Sequence, residues 1–265
     1  PECLGHKIRY CGSRGTPLHV AIRNKKVDVV QRLLSSESGQ EMLTAKDTWG
    51  RTPLHLAAMH SSSAFFQIMK WHGGSVPSNL LLEADKMGFN VLHLALIDNA
   101  DPRVWRAVLE NEPDTISAIA VAHNKTDVEK DPMFDDGAQG NRSNQIRASR
   151  TALFIATDVD LPSISSRAED VRNRIKAILA TKQGLSTINA MDDYGRAPLD
   201  NVAYKLEHFN SPLGNKYYTD IGCDARIVRS FLHEIMEFLL IFGGARFSST
   251  IYFLVDSDNH FISTS

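Results

Sequence analysis

Gly15-Thr16-Pro17-Leu18-His19-Val20-Ala21 returns as Arg51-Thr52-Pro53-Leu54-His55-Leu56-Ala57. Looser copies follow at Asn90-Val91-Leu92-His93-Leu94-Ala95, Arg150-Thr151-Ala152-Leu153-Phe154-Ile155-Ala156 and Arg196-Ala197-Pro198-Leu199-Asp200. The central leucines stand at 18, 54, 92, 153 and 199, so the intervals are 36, 38, 61 and 46 residues. In each of the first two copies Thr-Pro opens a helix: Thr suits an N-cap, and Pro is tolerated at the first helical position because its missing N–H has no intrahelical role there. Leu and Ala then supply the packed side of a short inner helix.

Working outward, each phrase is followed by apolar residues at helical spacing. They are Val27, Val29-Val30 and Leu33-Leu34, then Phe65-Phe66 and Ile68-Met69, then Val104-Trp105 and Val108-Leu109. Later come Val171, Ile175 and Ile178-Leu179, and finally Ile227-Val228, Phe231-Leu232, Ile235-Met236 and Leu239-Leu240. Between helix pairs stand Asp47-Thr48-Trp49-Gly50, Asp85-Lys86-Met87-Gly88 and Asp192-Asp193-Tyr194-Gly195, each a turn whose Gly accepts positive φ. One helix pair cannot bury its apolar face alone, so the units must stack.

A recurring unit that opens Thr-Pro-Leu-His-x-Ala resembles the ankyrin repeat, whose period is about 33 residues. The resemblance covers about residues 11–247. It implies an all-α ankyrin-repeat solenoid: stacked helix-turn-helix repeats with β-hairpin fingers and a short C-terminal flap. One domain over 1–265 is expected, with repeats near 15–46, 47–84, 85–112, 149–189 and 192–247. An inserted loop would fill 113–148, and the flap 248–265, where Ser249–Val255 reads as strand. Further insertions are expected to lengthen the inter-helix turns at about 158–167 and 208–224. In this family the motif His hydrogen-bonds backbone between neighbouring repeats, so His19, His55 and His93 are read as structural. Phe154 and Asp200 replace it, which implies a less regular C-terminal half.

Composition narrows the function. The chain has 43% hydrophobic and 23% charged residues, ordinary for a folded protein, and a net charge of −2 gives no bulk attraction to nucleic acid or anionic membrane. Three scattered cysteines (Cys3, Cys11, Cys223) do not make a disulfide framework, so a reduced cytoplasmic or nuclear setting is expected. Pro1 to Tyr10 contains no apolar run of the signal-peptide kind. There is no phosphate loop, nucleophile elbow or Cys-x-x-Cys, and the acidic run Glu129–Asp136 lacks EF-hand spacing. Trp71-His72-Gly73-Gly74 reads as a helix stop. No catalytic residue, metal or cofactor is therefore expected.

The resemblance implies binding through finger tips and the exposed ends of the inner helices. The finger candidates are Thr48, Trp49, Arg51, Lys86, Met87, Phe89, Asp193, Tyr194 and Arg196; the inner-helix candidates are Met59, His60, Ile97 and Asp98. Equivalent inner-helix positions fall at Arg23-Asn24, Asp158-Val159 and Tyr204-Lys205. Trp, Tyr, Arg and Met are types enriched at interface cores. The expected partner is a protein or peptide with apolar anchors and some acidic groups, with no nucleic acid and no membrane insertion. Two other readings stay open: a regulatory or targeting part of a larger enzyme or channel, and a small-molecule site built from the inserted loops.

Overall fold

The computed structural model describes residues 15–97, 100–117, 119–120, 150–158, 164–192, 195–220, 224–245, 253–255 and 261–263. It divides into two compact units, Pro1–Ser149 and Arg150–Ser265.

Unit 1 contains three inner helices in register: α1 (Pro17–Arg23), α4 (Pro53–His60) and α7 (Val91–Leu96). Each packs on its own outer helix: α1 on α2 (Val27–Leu34), α4 on α5 (Ser62–Trp71), α7 on α8 (Pro102–Asn111). Inner helices also pack on one another, α1 on α4 and α4 on α7, and the outer helices follow. Short helices α3 (Gly39–Thr44) and α6 (Ser78–Leu82) lead back toward the next finger. The core is the Leu/Ala side of the recurring phrase with the facing side of the outer helices: Leu18, Ile22, Leu54, Ala57, Leu92 and Leu94 meet residues such as Val30, Phe65, Ile68 and Val104. At about 25 cal/mol per Å² of apolar area buried, stacking rather than helix propensity holds such short helices.

Unit 2 repeats the design in longer form. Inner helix α9 (Ala152–Thr157) packs on outer helix α10 (Ile164–Leu179), and inner helix α12 (Pro198–Asn210) on α14 (Ala225–Gly243). A short helix α11 (Lys182–Ser186) follows α10. The stretch expected as a long turn at 208–224 is instead mostly helical: α12 runs to Asn210 and α13 spans Pro212–Asp220. Ser211-Pro212 accounts for this. The Ser211 hydroxyl accepts the Gly214 N–H at 3.1 Å, and Pro takes the first helical position. Strand β1 (Phe253–Val255) pairs antiparallel with β2 (Phe261–Ser263), in keeping with the strand expected at its start. Most of the expected loop 113–148 lies outside the described residues; Pro113–Ser117 form a 3-10 turn.

The helix stop read from Trp71-His72-Gly73-Gly74 is present: Gly74 N–H donates to Met69 O at 2.8 Å after α5, and the last helix ends alike, with Ala245 N–H donating to Leu239 O at 3.1 Å after α14. No helix among the described residues is long and apolar enough to cross a membrane.

Candidate functional site

Two of the motif histidines, His19 and His55, are built into unit 1 as ties, and His93 Nδ1 accepts the Asn90 N–H at 3.1 Å. His19 Nδ1 accepts the Thr16 N–H (3.1 Å) and hydroxyl (2.8 Å), and its Nε2 lies 2.8 Å from Arg51 O in the next finger. His55 repeats this with Thr52 (3.2 and 2.7 Å) and the carbonyls of Glu83 (3.0 Å) and Phe89 (3.2 Å). Donors at Nδ1 and carbonyls at Nε2 fix the neutral Nε2–H tautomer. Burial pushes the His55 imidazole down to about 4, against the pull of the two carbonyls. His19 is lowered for the same first reason. Thr and His thus form a capping box in which the hydroxyl also meets the imidazole.

The fingers are tight turns. Gly50, Gly88 and Gly195 have φ of 77°, 77° and 71°. Each finger closes by two backbone bonds in place of a ladder: Asp47 N–H to Arg51 O, Asp85 N–H to Phe89 O and Asp192 N–H to Arg196 O, all at 2.9 Å, and the turn Gly N–H back to the leading Asp carbonyl at 3.0, 3.0 and 2.9 Å. The leading Asp locks the turn. Asp47 Oδ1 accepts from Trp49 and Arg51 N–H, Asp85 Oδ1 from Met87 and Phe89 N–H, and Asp192 Oδ1 from Arg196 N–H. Neighbouring fingers are joined where Lys86 N–H donates to Trp49 O at 2.9 Å.

This geometry redistributes the predicted finger residues. Thr48 and Lys86 are exposed and Trp49 is half-buried. Arg51, Met87 and Phe89, expected on an exposed ladder, are buried instead, at 0%, 2% and 4% exposure. The residues whose N–H groups the Asp holds differ in burial: Arg51, Met87 and Phe89 lie within the stack, whereas Trp49 and Arg196 stay partly open, so the stacking neighbours and not the lock decide it. Phe89 then meets the His93 ring edge-to-face, with centroids 6.0 Å apart. Arg51 pairs with Asp47 through Nε at 3.2 Å and lies over the Trp49 ring. Arg196 makes the equivalent pair with Asp192 at 2.9 Å and stays partly exposed. Asp98, Asp193 and Tyr194 lie outside the described residues.

The inner-helix ends behave differently. Met59, His60 and Ile97 are half-exposed, as is Arg23 at the end of α1. Burial, then the charges of Arg23, Arg51 and Lys25, pushes the His60 imidazole down to about 4. Lys25 is exposed and holds a left-handed φ of 54°. In unit 2, Asp158 is not open surface. Its carboxylate is held by Arg150 Nη1 at 2.7 Å and Lys205 Nζ at 2.6 Å, with Asn201 Nδ2 at 3.5 Å. Burial alone would lift this carboxyl, but Lys205 and Arg150 outweigh it and hold it below its ordinary value. Tyr204 beside it is exposed. Sequence reading missed the Asp158 network because its partners are 8 and 47 residues away, beyond any local pattern. Among the described residues no group of three or more His, Cys, Asp or Glu is placed to hold a metal.

The family model for ankyrin repeats matches residues 18–118 in three copies. An ankyrin repeat-containing protein of Arabidopsis thaliana is 29% identical over 102 residues, 37% of this chain and 19% of that protein. The nuclear factor NF-kappa-B p105 subunit of Rattus norvegicus is 32% identical over 85 residues, 32% of this chain and 8% of that protein. The chain therefore spans less than a fifth of the length of these curated relatives. Among solved structures, the ankyrin repeat domain of Bcl-3 aligns over 86% of each chain at 20% identity, with a TM-score of 0.48.

Proposed function

Because this chain is an ankyrin-repeat protein, matched over residues 18–118, and such repeats are protein–protein interaction modules, we propose that it is a non-enzymatic adaptor. It takes up a protein or peptide along the inner-helix ends and finger edges of unit 1. The observation that carries this is the contrast between apolar groups. Met87 and Phe89 are folded inward, whereas Met59 and Ile97 stay half-exposed at the same position of successive repeats. Trp49, half-buried on the finger side, supplies a rigid flank, and Thr48 and Lys86 a polar rim. A preformed strip of this kind lowers the ordering cost of binding. In this reading Arg51 acts from below, by holding the finger, and Arg196 marks the equivalent edge in unit 2. Cytoplasm or nucleus is the proposed setting, and neither nucleic acid nor a cofactor takes part. A regulatory or targeting role within a larger protein is the second reading, favoured by the much greater length of the matched relatives.

A photo-crosslinking residue placed in turn at Met59, Ile97 and, as a control on the outer helix, Lys70 tests the proposal. Partners that crosslink from the first two and not from Lys70 support it. Equal capture from all three, or none from Met59 and Ile97, overturns it.

A further inference from the structure

We propose that the strip in unit 1 reads an extended acidic segment in polyproline II form, with the register acidic-x-x-apolar-x-x-apolar. This rests on the groove reading above and adds the class of ligand.

The argument starts from register. Counting from the first residue of each inner helix, Arg23, Met59 and Ile97 occupy the same position in three successive repeats. Each is half-exposed, so this position offers a side chain to a ligand in each of the three repeats. Their helices pack as immediate neighbours, α1 on α4 and α4 on α7. Packed helices lie about 8–10 Å apart, so the strip presents basic, apolar, apolar at about that step.

A ligand must match this step with side chains on one face. A β-strand returns to the same face every two residues, about 6.6 Å, which falls out of phase. An α-helix returns every 5.4 Å, which puts a side chain over the buried positions between inner helices. Polyproline II has three residues per turn and about 3.1 Å rise, so its face recurs every ~9.3 Å. It alone places one side chain on each repeat and none between.

Charge sets the first position. Arg23 and Lys25 stand at the first repeat, and His60 adjoins them closely enough to feel both charges. Asp47 is the acidic group that faces them; it is buried and held by Arg51 and, at 3.8 Å, by Arg23. A carboxylate on the ligand meets Arg23 and Lys25 there, with His60 beside it. Lys25 is kept in a left-handed backbone (φ 54°) that a non-glycine residue adopts only where its surroundings hold it there.

The test is selection of a randomised 12-residue peptide display library on the full chain, followed by anisotropy titration of the selected peptides. Enrichment of the three-residue register, with binding weakened about tenfold by Arg23→Glu or Lys25→Gly, is expected. Lys25→Gly relaxes the backbone and so removes charge without threatening the fold. Replacing the peptide's Glu by Lys should restore binding to Arg23→Glu. Peptides with spacings of two, four or seven that depend on Met59 and Ile97 overturn this proposal and leave the groove reading standing. Selection yielding no peptide sensitive to Met59→Asp or Ile97→Asp overturns both.

Discussion

Unit 1 and unit 2 meet the same requirement with different chemistry. Both must seat an inner helix behind a finger and close its first turn. Unit 1 does so with neutral imidazoles: His19 and His55 accept from the preceding Thr and reach the carbonyls of Arg51 and Phe89 beyond their own repeat. In unit 2 that residue is Phe154 or Asp200. Where Phe154 stands, the Thr151 hydroxyl reverts to a conventional cap and accepts the Phe154 N–H at 3.3 Å. Where Asp200 stands, its carboxylate accepts the Ala197 N–H at 2.8 Å. Long-range ties in unit 2 are ionic or charge-assisted: Arg150–Asp158–Lys205, and Arg174 Nε to Ala156 O at 3.1 Å. The tie therefore belongs to the architecture and the imidazole is one of several ways to make it. The two ways differ in what breaks them.

Removing the anion from unit 2 gives the largest expected effect. Asp158→Ala leaves Arg150 and Lys205 buried against each other, and loss of one partner from a buried ion group costs about 3–5 kcal/mol. Hydrogen exchange in peptides of α9 and α12 reads this directly. A loss below about 1 kcal/mol would show that solvent screens the network as it does a surface pair.

Acid should separate the units next. His55 titrates near 4 when folded and near 6.5 when unfolded. The unfolded chain binds the extra proton first, so stability from this group is complete above about 6.5 and drains as pH falls toward 4. The full shift corresponds to about 3 kcal/mol, with His19 adding in the same direction. Among the described residues of unit 2 no histidine is buried. Its depressed Asp158 carboxyl contributes above the ordinary carboxylate value and is lost only as pH falls through the lower folded value. All three tryptophans, Trp49, Trp71 and Trp105, lie in unit 1, so their fluorescence reports that unit alone. Between pH 7 and 5 the urea midpoint by tryptophan fluorescence should fall, while exchange protection in α9 and α12, corrected for intrinsic rates, should hold. Parallel losses would erase the distinction.

These differences also explain what the sequence disclosed. Thr-Pro-Leu-His, the Gly turns and the apolar spacings are local, and they located the inner helices, the fingers and the helix stop after α5. Burial of Met87 and Phe89 was harder to read: Asp85 holds both N–H groups at 2.8 and 2.9 Å, but the equivalent lock at Asp47 leaves Trp49 half-buried, so the stack decides and no local pattern shows it. An Asp opening each finger was visible as a pattern, but its side-chain bonds were not. The helix at Pro212–Asp220 was hidden by a polar composition that also suits a loop, although Ser211-Pro212 announced its start. At the candidate strip, Met59, His60 and Ile97 followed from repeat register alone. Lys25 did not, since nothing in Asn24-Lys25-Lys26 signals a left-handed backbone.

The finger locks give a smaller pair of effects. Asp85→Ala strands two buried N–H groups, about 2 kcal/mol in unit 1. Asp192→Ala frees an Arg196 that water already reaches, and about 1 kcal/mol is expected in unit 2. Paired chemical denaturation of the two variants checks the order. A larger loss for Asp192→Ala would mean that the unit 2 finger depends on its ion pair, not on its turn bonds.

The smallest effect tests the role exchange between Thr and His. Thr151→Val removes a working N-cap acceptor, which costs about 1 kcal/mol. Thr52→Val removes a hydroxyl that meets His55 Nδ1 within a capping box; the imidazole's half of that box, accepting the backbone N–H at position 52, remains, so about half that loss is expected. If Thr52→Val proves the more damaging, the hydroxyl rather than the backbone N–H is what orients the imidazole, because an imidazole that loses its hold on Nδ1 also surrenders the carbonyls of Glu83 and Phe89 at Nε2. Thermal midpoints of the two variants, measured at pH 7 where His55 is neutral, decide between these.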